Sequence, residues 1–189
     1  TNGLPELQNL QLNDKDLGDA GVCSMVEGLG PGSLPSLIDL DLDGNKFGPA
    51  GAEALAAAFR RGAMPNLVYL DLQNNNLGSQ GSTLLSPVLR KLPLERLILN
   101  DCNLPGDLAS LFGDLGKDDF NKLEALYLRG NKITNKGCAT ISEAVCRGML
   151  PALITVELVY EDGEGQVTND SDPAARQAIY DAIQASHKM

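Results

Sequence analysis

Residues able to perform acid–base, nucleophilic or metal chemistry are few and scattered in this chain of 189 residues. The single histidine, His187, lies close to the end of the sequence. A zinc site needs several closely spaced ligands, and a nucleophilic cysteine needs a base beside it, so neither is predicted. We expect no catalytic residue, no metal, no cofactor and no enzyme. The cysteines show no CxxC spacing and are expected to be unpaired thiols of a cytoplasmic protein: Cys23, Cys102, Cys138 and Cys146.

One acidic segment matches the first part of a calcium-binding motif. Residues 39–44 read DLDLDG, the opening of an EF-hand calcium loop. The twelfth position of such a loop requires a glutamate, and Ala50 stands there. The run is therefore interpreted as the polar side of a strand, with Leu40 and Leu42 on the opposite side.

The overall charge limits the classes of partner. The chain carries 15 Lys and Arg against 25 Asp and Glu, a formal net charge of −10. Such a surface repels the phosphates of nucleic acids and of anionic membranes. No apolar run reaches the length of about 20 residues that a transmembrane helix needs. We expect neither a nucleic acid nor a membrane as partner.

The chain repeats itself. The pattern L-x-x-L-x-L occurs five times and once more with Val156 as its middle residue, at intervals of 27–30 residues and usually after a hydrophobic–Pro–x step. Repetition at such a period is typical of solenoids. The six units start near residues 4, 34, 64, 92, 120 and 150.

Within each unit the hydrophobic period changes from that of a strand to that of a helix. The alternating leucines predict a short strand, and a recurring glycine followed by apolar residues at helical spacing predicts a helix. The fourth unit has Leu108 in the glycine position, with Phe112 and Leu115 continuing the apolar stripe. Pro87 is expected to kink or shorten the third helix. Alternating strands and helices predict an α/β fold.

These motifs resemble the leucine-rich repeat family, in its ribonuclease-inhibitor-like subtype. The resemblance implies a horseshoe-shaped solenoid of about six strand–helix units, with a parallel concave sheet and convex helices. It also implies a ladder of side chains that bond to the loop backbone, at Asn45, Asn75, Cys102 and Asn131. Lys15 and Glu161 stand in that position in the terminal units, so the ladder is expected to fray at both ends.

The two ends of the sequence differ in character. Residues 1–163 are predicted to form the repeat array, and residues 164–189 a C-terminal capping loop and helix. No comparable polar cap precedes Leu4, so the chain is interpreted as a fragment of a longer protein. The unpaired edge of the first strand predicts weak self-association through the N-terminal end.

The predicted concave face offers the candidate binding residues. Successive strands place Gln11, Asp41, Asp71, Ile98, Tyr127 and Glu157 side by side, about 4.8 Å apart. Tyr and Arg are frequent anchors of protein interfaces. A basic or mixed-charge protein segment is the expected partner. The full candidate set is Asp39, Asp41, Asp43, Tyr69, Asp71, Arg96, Ile98, Tyr127, Arg129 and Glu157.

The function predicted from these features is non-enzymatic protein–protein interaction, as a recognition module or scaffold. Two alternatives stay open by resemblance: a GTPase-activating domain of the Ran-activator type, which uses a loop arginine, and a tropomodulin-like cytoskeletal cap. Arg129 is the one arginine near such a loop. Other cations sit near predicted helix C-termini, where they suit the helix dipole, and are interpreted as structural: Arg60, Arg61, Arg90, Lys91 and Arg147.

Overall fold

A computed structural model describes residues 4–159 and 169–188 of the chain. Strands of three residues alternate with helices along these residues. The strands are β1 (Asn9–Gln11), β2 (Asp39–Asp41), β3 (Tyr69–Asp71), β4 (Arg96–Ile98), β5 (Ala125–Tyr127) and β6 (Thr155–Glu157). The helices are α1 (Gly18–Val26), α2 (Pro49–Arg60), α3 (Gly78–Leu89), α4 (Ala109–Phe112), α5 (Asn135–Cys146) and α6 (Pro173–Ser186).

The strands form one parallel sheet in chain order, as the repeat predicts. Each strand pairs with the next so that the middle leucines are in register, from Leu10 and Leu40 to Leu126 and Val156. Successive residues of a strand point to opposite faces. The leucines therefore face the helices, and the residues between them form the other face of the sheet.

The core lies between this sheet and the helices. In the second to fifth units the leucines of the repeat are almost completely buried, and Phe47, Phe112 and Phe120 fill the space beside them. The first unit differs, because Leu4 is 60% exposed and Leu7 and Leu10 are only partly buried. An apolar cavity of about 160 Å³ opens beside these three leucines.

The recurring glycines let each helix start approach a strand–helix loop closely, that of its own unit or that of the preceding unit. A Cβ on Gly51 would lie 2.9 Å from the Cβ of Phe47, and one on Gly137 would lie 2.3 Å from the carbonyl oxygen of Gly106. Neither position has room for a side chain. The glycine side of each helix start is thus held close to the loop beside it.

Helix α4 is the shortest helix of the described residues, whereas α3 has the usual length. Leu108 has a φ of 54°, a left-handed conformation, and α4 behind it has only one turn of four residues. Phe112 and Leu115 are buried as expected, although Leu115 lies beyond the helix. Of the two effects expected of Pro87, a kink or a shortening, the shortening does not occur, because α3 has 12 residues, as many as α2. Pro87 lies in the last turn, where little helix follows it.

The last helix, α6, packs against α5. Its predicted apolar stripe of Ile179, Ala182 and Ile183 is buried. Asp172 accepts a hydrogen bond of 2.8 Å from the backbone N–H of Ala175, and Pro173 occupies the first turn, so the helix begins where the sequence indicates. The predicted boundary between the repeat array and the capping loop, at residues 163 and 164, lies outside the described residues.

Two further features follow from the described residues. All four cysteines are unpaired, with Cys102 and Cys138 buried and Cys23 and Cys146 exposed. This confirms the prediction of free thiols.

Across residues 4–159 and 169–188, every helix falls short of the length and apolarity that a membrane span requires.

Candidate functional site

A row of buried side chains fixes the loops that follow the strands; we call it the buried ladder, formed by Asn45, Asn75, Cys102, Asn131 and Asn169. Asn45 shows the arrangement. Its Nδ2 donates to the carbonyl oxygens of Leu12 at 2.8 Å and Leu42 at 3.0 Å, and its Oδ1 accepts from the N–H of Lys15 at 3.1 Å. One side chain thereby joins the loops of two neighbouring units. Asn75 and Asn131 repeat this arrangement.

Cys102 takes the same place with weaker bonds. Its Sγ donates to the carbonyl oxygens of Leu72 at 3.1 Å and Asn100 at 3.4 Å, and its N–H donates to Oδ1 of Asn131 at 3.0 Å. Burial raises the pKa of the Cys102 thiol, so the side chain stays protonated and able to donate. The ladder position predicted for Cys102 is confirmed.

The ladder does not fray at its C-terminal end, contrary to expectation. Asn169, only 3% exposed, accepts from the N–H of Ile133 at 2.8 Å and from that of Asn131 at 3.2 Å, and donates to the carbonyl oxygen of Leu158. The other buried-ladder residues follow the last leucine of their unit by three positions, whereas Asn169 follows Leu158 by 11. Sequence spacing therefore pointed to Glu161, which lies outside the described residues.

The concave face carries the predicted row of side chains. Strand register places Asp41 beside Asp71, Asp71 beside Ile98, and Ile98 beside Tyr127. A second row runs through Asp39, Tyr69 and Arg96. The guanidinium carbon of Arg96 lies 5.7 Å from the centre of the Tyr69 ring, within the range of a cation–π contact. The structure thus brings the acidic residues and the Tyr–Arg pair onto one surface.

The acidic residues of β2 and β3 are partly held by the backbone. Oδ1 of Asp41 accepts from the N–H of Asp43 at 2.9 Å, and Oδ1 of Asp71 accepts from the N–H of Gln73 at 2.9 Å. These bonds fix the direction of each carboxylate on the concave face. Asp41 is half-buried, whereas Asp71 is 4% exposed.

Burial and mutual repulsion alter the titration of this cluster. Burial raises the pKa of Asp71 to about 7; the N–H of Gln73 opposes this effect, and the charges of Asp41 and Asp43 add to it. Burial and the charge of Asp41 also raise the pKa of Asp39. Burial, with the neighbouring carboxylates, raises the pKa of Tyr69 to about 12. A cation placed here would relieve the repulsion between the carboxylates.

A third polar row runs along the ends of β2 to β5; we call it the surface ladder, formed by Asp43, Gln73, Asn100 and Arg129. Asp43 and Arg129 belong to the predicted concave face, whereas the hydrogen bonds that join the row were not predicted. Nε2 of Gln73 donates to Oδ2 of Asp43 at 3.2 Å, and Nδ2 of Asn100 donates to Oε1 of Gln73 at 3.2 Å. The N–H of Arg129 donates to Oδ1 of Asn100 at 2.8 Å. The available signal was that all four residues follow the last leucine of their unit directly.

Arg129 and Glu157 form an ion pair on the last two strands. Both side chains are 30% exposed, so the pair sits at the surface of the concave face. Arg129 is therefore engaged by a carboxylate and by the surface ladder. The arrangement supplies an acidic region on β2 and β3, the apolar and aromatic pair of Ile98 and Tyr127, and an ion pair beyond them.

This surface is suited to non-covalent recognition of a polar, extended partner. In the part of the chain that the structure describes, no three His, Cys, Asp or Glu side chains are grouped so that they could hold a metal ion. The carboxylates of β2 and β3 can accept bonds from cationic side chains. Ile98 and Tyr127 offer apolar contact next to them.

Comparison with known proteins agrees with this architecture. A family model described as Leucine Rich repeat matches residues 33–56, 63–86 and 121–142, which fall in the second, third and fifth units. No curated protein matches the chain. The three repeat matches and the open sheet of six parallel strands alternating with helices support a leucine-rich repeat protein whose fold is an α/β solenoid.

Proposed function

We propose that this chain is a protein-interaction module that binds a basic or mixed-charge segment of a partner protein on its concave face. Leucine-rich repeats are typical protein-interaction modules. The observation that carries the proposal is the continuous concave surface, on which four aspartates lie beside the stacked Tyr69 and Arg96.

The chemistry of the surface defines how the segment docks. Lys or Arg side chains of the partner bond to Asp39 and Asp41, which are accessible, and are attracted by Asp43 and Asp71 behind them. An apolar side chain of the partner contacts Ile98 and Tyr127. Aromatic and arginine anchors surrounded by polar contacts are the usual source of interface energy. Charge attraction across the face speeds association and makes it sensitive to salt.

The finer family assignment rests on the helices. Units with a strand and a helix of 12 residues, as in α2, α3 and α5, support the ribonuclease-inhibitor-like subtype. The unpaired cysteines are consistent with a cytoplasmic protein. The GTPase-activating alternative needs an available loop arginine, and Arg129 is paired with Glu157. No observation specifically favours a cytoskeletal cap.

Affinity capture with designed variants tests the proposal. The wild-type chain, an Asp39→Lys/Asp41→Lys variant and a Tyr127→Ala variant serve as baits for a cell extract, and bound proteins are quantified by mass spectrometry. Glu143→Lys, an exposed charge reversal on α5, is the matched control.

A partner of the concave face is recovered by the wild-type and Glu143→Lys baits, and its recovery falls in both concave variants and at high salt. Equal recovery by all four baits would contradict the proposal and move the interface to the helices or loops.

A further inference from the structure

A groove opens on the convex side between the C-terminal ends of α2 and α3. Its volume is about 390 Å³, and it is separate from the concave face. The nearly buried rings and methyls of Phe59 and Val88 contribute to its floor. Pro65 and Pro87, both exposed, contribute to its walls. The groove thus presents apolar surface at a junction between two repeats.

At the preceding junction, between α1 and α2, a groove of about 310 Å³ is lined by a cation that is already bonded, Arg61. Nε of Arg61 donates to the carbonyl oxygen of Leu29 at 2.8 Å, and Nη2 of Arg61 donates to that of Val26 at 3.2 Å. Arg61 therefore bonds to carbonyl groups at and just beyond the C-terminal end of α1, and its guanidinium is held at that junction. Arg61 therefore does not line the groove between α2 and α3.

At the following junction, beyond α3, two cations are used in the same way. Nη1 of Arg90 donates to the carbonyl oxygen of Asp114 at 2.8 Å, and Nζ of Lys91 lies 2.6 Å from Oδ1 of the buried Asp119. Both side chains reach toward the fourth unit. Arg61 and Arg90 thus bond to the units on either side, whereas Lys91 both pairs with Asp119 and lines the groove between α2 and α3.

The rim of the groove is basic in a chain of net charge −10. The side chains of Arg60 and Lys91 are 57% and 64% exposed. Arg60 makes only a long contact of 3.9 Å with Glu53. Its guanidinium can therefore turn to a carboxylate above the groove at little cost, because exposed ion pairs contribute little.

We propose that this groove binds a short acidic segment of a partner protein. An apolar side chain of the segment occupies the space between Pro65 and Pro87, and flanking carboxylates contact Arg60 and Lys91. The apolar floor favours a peptide over a polyphosphate, because a polyphosphate has no apolar group to place against Phe59 and Val88. The site is independent of the concave face, whose partner has the opposite charge.

Two capped pentapeptides serve as probes in two-dimensional NMR titrations of the ¹⁵N-labelled chain: the acidic peptide EDLLE and the basic peptide KKLLK. The acidic peptide is expected to shift the backbone amides of residues 59–64 and 88–92, and the basic peptide is not. If the basic peptide shifts only the backbone amides of β2 and β3, this result supports binding at the concave face, which is the proposed function, independently of the groove.

Variants at the exposed positions of the groove complete the test. Arg60→Glu and Pro87→Glu are each expected to weaken binding of the acidic peptide by about tenfold, because they place a carboxylate against it. Pro87→Glu also restores a backbone donor inside α3, so the variant is expected to fold.

The matched control, the exposed Arg147→Glu at the end of α5, is expected to retain binding, and Pro87→Ala, which adds no charge, is expected to weaken binding less than Pro87→Glu does. Acidic-peptide shifts that lie elsewhere, that persist unchanged in Arg60→Glu and Pro87→Glu, or that fail to develop up to the solubility limit of the peptide would overturn the proposal.

Discussion

The buried ladder and the surface ladder run side by side along the same strands, yet they differ in what they bond to. Asn75 of the buried ladder, 2% exposed, bonds to backbone groups of its own and the preceding unit. Gln73 of the surface ladder, two residues earlier, bonds to the side chains of Asp43, Asp71 and Asn100. One ladder holds the loops together, and the other organises the side chains of the concave face.

The difference follows from access to water. A buried backbone carbonyl that loses its donor remains unsatisfied, which costs far more than the bond contributed. A half-exposed amide such as that of Gln73 can exchange its partners for water. Substitutions in the buried ladder should therefore lower stability, whereas substitutions in the surface ladder should alter charge and recognition.

The largest effect is expected for Asn75→Ala. The variant removes donors to Leu42, Leu72 and Gln73 and the acceptor for the N–H of Phe47. Such a loss inside the fold should lower the free energy of unfolding by about 3 kcal/mol or more. Urea unfolding with an unchanged denaturant slope measures it.

Cys102→Ala, at the same position of the next unit, is the matched control for Asn75→Ala. The thiol is a weak donor, so this variant should lose about 1 kcal/mol. Equal losses in the two variants would show that the ladder acts through packing rather than through hydrogen bonds.

A smaller loss is expected for Asn169→Ala, at the end of the buried ladder. The N–H groups of Asn131 and Ile133 would lose their acceptor, at a cost of about 2 kcal/mol. Hydrogen exchange should show faster exchange at these two amides. Unchanged exchange would mean that Asn169 is dispensable for the ladder and would restore the expected fraying at this end.

The next effect concerns pH and the centre of the acidic cluster. The pKa of Asp71 is raised from 3.8 to about 7 in the folded chain. Between those two values the unfolded chain releases this proton and the folded chain retains it, so the ionisation of Asp71 destabilises the fold as pH rises through that window.

Asp71→Asn removes this titration. Its free energy of unfolding relative to the wild type should rise as the pH increases from about 4 to about 7 and level off above that. Unfolding curves at several pH values measure the difference. A difference independent of pH would show that Asp71 ionises normally and is not strained by Asp41 and Asp43.

The smallest effect is expected for Gln73→Ala in the surface ladder. Water can replace its bonds to Asp43 and Asn100, so the loss should stay below about 1 kcal/mol. The salt dependence of partner binding should change more than the stability, because Asp43 and Asp71 lose a shared donor. A loss as large as that of Asn75→Ala would abolish the distinction between the two ladders.

Much of this architecture could be predicted from the repeated leucines. The strand register, the buried leucines and the concave row from Gln11 to Glu157 follow from a period of two within each strand and a constant spacing between units. The same pattern could not predict Asn169, because residues between Leu158 and Asn169 interrupt the spacing. It also could not predict the single turn of α4, which depends on the left-handed backbone of Leu108.

The sequence by itself determined the solenoid, its number of strands and the set of side chains on the concave face, because these depend on local hydrophobic periods. Only the tertiary structure decided which polar groups meet. The bonds of Gln73 to Asp43 and Asn100, the contact of Arg96 with Tyr69, and the open groove between α2 and α3 join residues about one repeat apart in the chain. Such contacts depend on the stacking of neighbouring units, which no local pattern encodes.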